Sequence, residues 1–414
     1  MQEARGKRQK SDILLSSPLP LSPSPPLFFP PAPLSSKTIM KEINQVAAAL
    51  ERQDYPEVAR LLKQLQPQSA QNPWIRFYMG RYFEETQQLE KAEKIYRKLL
   101  QESTISKISS QVRQGIKRLE LSAENRLNQA IAQAKADPKN REPGLLIVEA
   151  VSQEFKQNAA QQLARILKVD TYTARLQLQS HGWRLFRTGE IGQLQVYGQE
   201  MVKAGIPAFW ATVQALQKIQ VFRVHYFQSL GAQSSIICQN AQDQVGSLSF
   251  NWSEVSQRVE GLLPIFTEVM DYDPRRKNQQ FRHKKMTQDY VRVCDLHLPK
   301  RHCILRFCDQ SYQFQSGISF NPAPSSQLSN SQSSKSLVQN TTSINWNYLI
   351  TQFNQYQPQA QVWSEFTQFA ETAFNYPKLL SRIKAYLDIP RKDQEVLWDP
   401  AFQLYSTLAF VKPN

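Results

Sequence analysis

The chain has 414 residues, enough for roughly two to four domains, and its 50 Lys and Arg against 35 Asp and Glu give a formal charge of +15. This charge favours acidic partners such as nucleic acid, anionic lipid or acidic proteins, without choosing among them. Four cysteines exclude a secreted disulfide framework in a chain of this size, and no apolar run reaches the roughly eighteen residues needed to cross a bilayer, so we expect a cytoplasmic protein without a transmembrane segment.

Residues 1–39 differ from the rest of the chain. A basic start leads into a stretch with eight prolines among residues 18–33, which excludes a helical signal-sequence core. We expect a disordered tail, or sequence upstream of a true translation start at Met40, which directly precedes the first amphipathic pattern. The alternative is a Pro-rich ligand, since Pro23 and Pro26 form a minimal P-x-x-P pattern.

Residues 40–138 repeat with a spacing of 34 positions. This offset relates pairs of apolar residues: Tyr55 and Leu89, Val58 and Ala92, Leu62 and Tyr96. A period of this length indicates stacked helical hairpins, each of which buries its apolar face against the next. Residues 74–99 form the clearer copy, residues 41–71 a weaker one, and residues 106–136 only a helical pattern.

The clearer copy resembles a tetratricopeptide repeat. The resemblance rests on positions of the Gly-x-x-aromatic and Ala-x-x-x-aromatic type: Gly80, Phe83, Leu89, Ala92, Tyr96 and Leu99. It implies helices that approach closely at small residues, with aromatic residues between them, and a protein partner bound by the repeats. In the weaker copy Val58 stands where a small residue is usual, and an ordinary helical bundle is the alternative interpretation.

Residues 142–230 predict a compact α+β module. Extended segments are expected at 145–148, 183–186, 208–213 and 220–226, and helices at 159–167, 171–179 and 191–204. Gly205 is typical of a helix cap, and Pro207 prevents the last helix from continuing. This order of elements is similar to that of the C-terminal domain of the bacterial ribosomal stalk protein, a resemblance that implies a fold and no particular chemistry.

Residues 231–320 predict a β-rich domain. Strands are expected at 235–238, 245–250, 290–298 and 303–307, with a hairpin turn at 299–302. Together with the segments 252–255 and 261–266, they indicate a half-barrel that is similar to small pleckstrin-like domains. A linker rich in Ser, Asn and Gln at 321–343 separates them from a C-terminal helical segment at 344–414. The apolar end of the chain, residues 398–411, is expected to dock on the strand-rich domain.

Potential zinc ligands cluster around the predicted hairpin: Cys294, His297, His302, Cys303 and Cys308. Strand geometry argues against a metal site, because Cys294 and His297 are three positions apart and therefore point to opposite faces. The spacings also lack the usual Cys pair separated by two residues. We expect packed structural cysteines, no metal and no cofactor.

Basic residues are concentrated between two predicted strands: Arg275, Arg276, Lys277, Arg282, Lys284 and Lys285. Such a segment suits phosphate binding, with Phe281 available to stack on a base or to enter a membrane interface. The alternative is a solvated loop whose charge aids solubility.

The sequence lacks the common catalytic motifs. It contains no Gly-rich phosphate loop and no His-Glu-x-x-His, Gly-x-Ser-x-Gly or Cys-x-x-Cys pattern. His225, on a predicted strand, is more typical of a structural residue than of a catalytic base. We expect a non-enzymatic scaffold that binds protein through its repeats and an acidic partner through its basic region. The alternatives are a nucleic-acid-binding protein that uses residues 275–285 and, in third place, an enzyme of unrecognised type.

Overall fold

A computed structural model describes residues 36–69, 71–272, 281–318, 341–387, 389 and 396–413 of the chain. It divides into two compact units, the first ending at Glu124 and the second beginning at Asn125. Helices form the first unit, and helices and two sheets form the second, which confirms the predicted α+β class with helices at both ends of the chain. None of the described helices is both long and apolar enough to span a bilayer.

The first unit contains α1 (Ser36–Glu51), α2 (Tyr55–Ser69), α3 (Pro73–Glu85), α4 (Leu89–Glu102) and most of α5 (Ser106–Ala136). Local chemistry sets the start of α3, because the Asn72 side chain accepts a hydrogen bond from the Trp74 backbone amide. Pro73 fits the first turn, because backbone N–H groups there have no hydrogen-bond partner within the helix and proline has no N–H group. The helix α1 begins four residues before Met40, the predicted start of the folded chain, and residues 1–35 lie outside the described residues.

Two apolar clusters hold these helices together. The first joins α1, α2 and α3 and includes Val46, Val58 and Leu65. The second joins α3, α4 and α5 and includes Tyr96 and Val112. Since α3 contributes to both clusters, it is the central helix of the unit.

The second unit alternates strands and helices along the chain. Its strands are β1 (Pro143–Glu149), β2 (Trp183–Glu190), β3 (Ala208–Thr212), β4 (Gln220–Ser229), β5 (Gln233–Gln239), β6 (Val245–Asn251), β7 (Gln257–Tyr272), β8 (Phe281–Leu298), β9 (Cys303–Cys308) and β10 (Gln361–Trp363). Its helices, after the end of α5, are α6 (Gln153–Leu167), α7 (Thr171–Leu176), α8 (Ile191–Lys203), α9 (Val213–Gln217), α10 (Thr342–Tyr356), α11 (Phe366–Ala373), α12 (Pro377–Leu380) and α13 (Trp398–Val411).

The first sheet has the strand order β2-β1-β3, and both pairings are antiparallel. The central strand β1 is buried on both faces, as its continuous apolar run requires. Leu145 and Ile147 pack towards α11 and α13, whereas Leu146 and Val148 pack towards α6 and α8. The strand β4, which the sequence analysis grouped with this module, instead pairs with β5 and β9 in the second sheet.

The second sheet has the order β10-β7-β8-β9-β4-β5-β6. Residues 299–301 form a short 3-10 turn that joins β8 to β9 as an antiparallel hairpin, as predicted. The two ends of the order, β10 and β6, do not pair with each other, so the described strands form an open sheet rather than a closed barrel. Alternate residues of β8 and β9 face α10 on one side and α13 on the other.

The helix α13 lies between the two sheets. Residues 401–409 are all buried, although Gln403, Ser406 and Thr407 are polar. Phe402 packs on Gly261 of β7, where a Cβ atom would lie 2.5 Å from the phenylalanine ring. One apolar core therefore combines residues from the segments 142–230, 231–320 and 344–414 that the sequence analysis separates.

Candidate functional site

A tyrosine ring lies between two glycines in the first unit. Tyr96 on α4 is fully buried, and a Cβ atom at position 80 would lie 2.4 Å from its Cε1 atom. At the other edge of the ring, a Cβ atom at position 115 would lie 2.7 Å from Cε2. Gly80 and Gly115 therefore let α3 and α5 close on the ring. Gly115 was not among the residues predicted to pack the repeats, although it follows Gly80 by 35 positions.

The hydroxyl of the same tyrosine joins an ion pair. Tyr96 Oη donates to Glu84 Oε2 at 2.8 Å, and Arg118 donates to both carboxylate oxygens of Glu84, at 2.6 and 2.9 Å. Burial favours a higher pKa for Glu84, but the hydrogen bonds from Arg118 and Tyr96 outweigh it and hold that pKa below its ordinary value. Burial and the neighbouring carboxylate raise the pKa of Tyr96, which therefore remains a hydroxyl donor. The three side chains tie α3, α4 and α5 together.

The residues predicted to pack the repeats all lie on α2, α3 and α4. Six of them are buried: Val58, Leu62, Gly80, Ala92, Tyr96 and Leu99. Three are half-buried: Tyr55, Phe83 and Leu89.

Three half-buried aromatic residues form one face of α3. Trp74, Tyr78 and Tyr82 follow at intervals of four and so share this surface, which we call the α3 aromatic face. Trp74 and Tyr78 stack with ring centroids 6.4 Å apart and contact both apolar clusters of the unit. The ammonium group of Lys107 lies 5.9 Å from the Trp74 ring. The α3 aromatic face thus packs against the apolar clusters on its inner side and is partly exposed to solvent on its outer side.

Arginines on α3 are paired within the unit. Arg76 contacts Glu102 at 2.5 Å, and Arg81 contacts Glu85 at 3.0 Å. These ion pairs leave little net charge on α3, so the chemistry that its surface offers is mainly aromatic.

The strands β7 and β8 extend well beyond their neighbours. They pair with each other from Gln257 and His297 to Tyr272 and Phe281. In contrast, β9 pairs with β8 only as far as Val293, and no other described strand pairs with either of them further out. The remaining eleven residues of β7 span about 35 Å as a two-stranded ribbon.

The predicted basic segment, residues 275–285, is only partly described. Arg275, Arg276 and Lys277 fall outside the described residues, whereas Arg282, Lys284 and Lys285 lie on the strand β8 rather than in a loop. The register places Lys285 opposite Glu268 of β7, and Arg282 opposite Asp271.

Four of the five potential zinc ligands divide between the two faces of the second sheet, and the fifth, His302, is exposed in the turn between β8 and β9. Cys294 and Cys303 pack towards α10, and Cys308 packs in the core on the α13 side, where His297 also lies. The predicted opposition of Cys294 and His297 is therefore confirmed. In the part of the chain that the structure describes, no three His, Cys, Asp or Glu residues are grouped as a metal site.

The four cysteine thiols are buried and unpaired with one another. Burial raises the pKa of Cys238 and of Cys303 to about 11. It also raises the pKa of Cys294 and of Cys308 above the ordinary value. Since the thiolate is the nucleophile and the metal ligand, these thiols are suited to packing rather than to chemistry.

A buried polar network joins α13 to the second sheet. Arg306 of β9 donates to both carboxylate oxygens of Asp295 on β8, at 2.8 and 2.6 Å. Ser406 of α13 lies 2.5 Å from Asp295 Oδ2 and 3.0 Å from His297 Nε2. Gln257 of β7 contacts the other ring nitrogen of this histidine at 3.1 Å. Asp295, His297, Arg306 and Ser406 are at most 1% exposed.

The indole group of Trp363 determines which atoms of this network donate hydrogen bonds and which accept them. Trp363 Nε1 can only donate, so its contact of 2.8 Å identifies the Gln257 oxygen as the acceptor. The Gln257 amide nitrogen then donates to Ala409 O and to His297 Nδ1. His297 therefore carries its proton on Nε2 and donates to Ser406, which in turn donates to Asp295.

This direction of donation does not suit nucleophilic catalysis. A serine nucleophile needs a base that accepts its proton, but here the His297 ring donates to Ser406. Burial lowers the pKa of His297 to about 4, with Asp295 opposing that shift and Arg306 adding to it. The network instead stabilises the docking of α13. His225, which the sequence favours as a structural residue, is half-buried on β4.

Comparison with known proteins identified no relative of this chain. No protein-family model, no curated protein and no solved structure matches the chain.

Proposed function

We propose that this protein is a non-enzymatic cytoplasmic adaptor whose N-terminal, tetratricopeptide-like unit binds a protein partner. The observation that carries the proposal is the α3 aromatic face, formed by Trp74, Tyr78 and Tyr82. Trp and Tyr are enriched among the residues that contribute most to protein interfaces, because they bury a large apolar area and keep a polar group for hydrogen bonding.

Rigidity supports the same role. The rings of Trp74 and Tyr78 contact both apolar clusters of the first unit, so they lose little conformational entropy when a partner binds. The paired arginines leave little net charge on α3, which favours a partner with an apolar or aromatic anchor over a strongly acidic one.

Site-specific photo-crosslinking tests this proposal. A photoreactive phenylalanine at Tyr82 should give a defined cross-linked partner, whereas the same group at Lys94, exposed on α4, should not. Replacing Tyr78 and Trp74 by Ala should remove the cross-link from position 82 while the helical circular dichroism signal remains. Equal cross-linking at positions 82 and 94, or a cross-link that survives both replacements, would contradict a specific role for the α3 aromatic face.

The second candidate function is nucleic-acid binding by residues 275–285. The two-stranded ribbon of β7 and β8 favours it, because an antiparallel ribbon of this kind fits the major groove of DNA, and Arg282, Lys284 and Lys285 occur in the sequence of β8. Replacing the six basic residues by Gln should flatten the salt dependence of binding to RNA or DNA, measured by fluorescence anisotropy. If the natural protein and the variant bind with the same affinity and the same salt dependence, the basic segment is better explained as a solvated loop that aids solubility.

A further inference from the structure

A cavity of about 220 Å³ lies in the second unit, between α9, the chain at residues 382–386 and α13. Four aliphatic side chains form its apolar wall: Val213, Leu216, Ile219 and Ile383. An engineered cavity of about 150 Å³ binds benzene, so this volume holds roughly nine non-hydrogen atoms. An apolar group of this size that leaves water for the cavity gains binding free energy in proportion to the area it buries.

The charge at the rim of the cavity is positive. Arg382 and Lys384 both line it and are exposed, and no Asp or Glu occurs among the described lining residues. Lys384 Nζ donates to Ala241 O at 3.0 Å and lies 5.1 Å from the ring centroid of Tyr386, another lining residue. Arg382 forms no ion pair with any residue that the structure describes. An anionic group at the mouth would therefore complement this charge.

The wall of the cavity is held in place before any ligand arrives. The buried Arg306 donates to Ala385 O, and Gln217 of α9 donates to Arg382 O at 3.4 Å. The 382–386 segment is thus fastened both to the second sheet and to α9. A site that is already formed loses little binding free energy to ordering.

From these observations we propose that the cavity binds a small organic anion of about nine non-hydrogen atoms with an apolar body, the chemistry of an aromatic carboxylic acid. The apolar body lies against Leu216 and Ile383, and the carboxylate lies near Arg382 and Lys384. The proposal goes beyond the adaptor function and does not depend on it.

Titration of the full chain with three matched probes, followed by saturation-transfer NMR, tests the site. The probes are 4-hydroxybenzoate, benzoate and benzyl alcohol. We expect both anions to bind more tightly than benzyl alcohol, because benzyl alcohol lacks the charge. Arg382→Gln should weaken both anions roughly five- to tenfold and leave benzyl alcohol unchanged. Arg113→Gln, an exposed change in the first unit, should alter none of the three.

One further variant examines the interior of the cavity. Ile383→Trp should fill the apolar space and abolish binding of all three probes. Melting temperatures identify a variant that fails to fold, in which case Arg382→Gln, at an exposed position, decides the question.

The outcomes that would overturn the proposal are specific. They are absence of binding by every probe at millimolar concentration, equal affinity for benzoate and benzyl alcohol, unchanged anion binding by Arg382→Gln, or unchanged binding by folded Ile383→Trp.

Discussion

The buried His297 should make the second unit sensitive to acid. Burial lowers the pKa of this histidine from 6.5 to about 4, so the folded protein keeps the ring neutral between those values while the unfolded chain protonates it. The unfolded state then binds more protons than the folded state, and stability falls as the pH decreases through this window. The contribution of the neutral His297 ring to the free energy of unfolding is complete at pH 7 and is lost towards pH 4.

The size of the effect follows from the two pKa values. At pH 5 the unfolded histidine is almost fully protonated and the folded one is not, which costs about 2 kcal/mol of unfolding free energy relative to pH 7. His297→Gln lacks the titrating ring and keeps a donor for Ser406. We expect this variant to be less stable at pH 7 and to lose about 2 kcal/mol less than the natural protein between pH 7 and pH 5.

Urea unfolding followed by tryptophan fluorescence is the appropriate assay, because six of the seven tryptophans belong to the second unit. Other groups titrate in both the natural protein and His297→Gln, so their contributions cancel when the two losses of stability are compared. His225→Gln is the control, because this histidine lies outside the buried network. Equal losses of stability in the natural protein and in His297→Gln would refute this reasoning.

Three other predictions can be checked with similar methods. Gly80→Ala places a methyl group against the Tyr96 ring and should destabilise the first unit by about 1 to 3 kcal/mol in thermal melts followed by circular dichroism, whereas Gly246→Ala, which has open space around its Cβ position, should change little. Asp309→Asn should stabilise the protein by about 1 to 2 kcal/mol at pH 7, since burial raises the pKa of this carboxyl group to about 6 and the charged form is disfavoured; an unchanged urea midpoint would contradict this. Elemental analysis should find no stoichiometric zinc, because the cysteines around the β8–β9 hairpin are divided between two faces of a sheet; one zinc per chain would overturn this prediction.

Local patterns were sufficient to predict many elements. The 34-residue spacing placed helices where α2, α3 and α4 occur, and the apolar pattern of residues 191–204 predicted α8 to within one residue. Strand alternation also predicted that Cys294 and His297 face opposite sides. These features follow from the periods of a helix and a strand, which are properties of consecutive residues.

The α3 aromatic face was only partly visible in the sequence. Its residues fall within the segment that carries the repeat resemblance, but spacing alone does not separate an aromatic residue that is buried, such as Tyr96, from one that is half-buried, such as Tyr82. Gly115 was missed because a single glycine in a helical pattern gains its meaning only from the ring packed against it.

The sequence by itself determined which residues are helical or extended and which faces are apolar, because these depend on neighbours along the chain. Only the tertiary structure decided what covers each face: that β4 joins the second sheet, that α13 is buried between two sheets, and that Asp295 meets a serine 111 residues away. Polar residues such as Ser406 indicate an exposed position when their partners are unknown. They are buried here because distant strands supply their hydrogen bonds, and no local pattern records those partners.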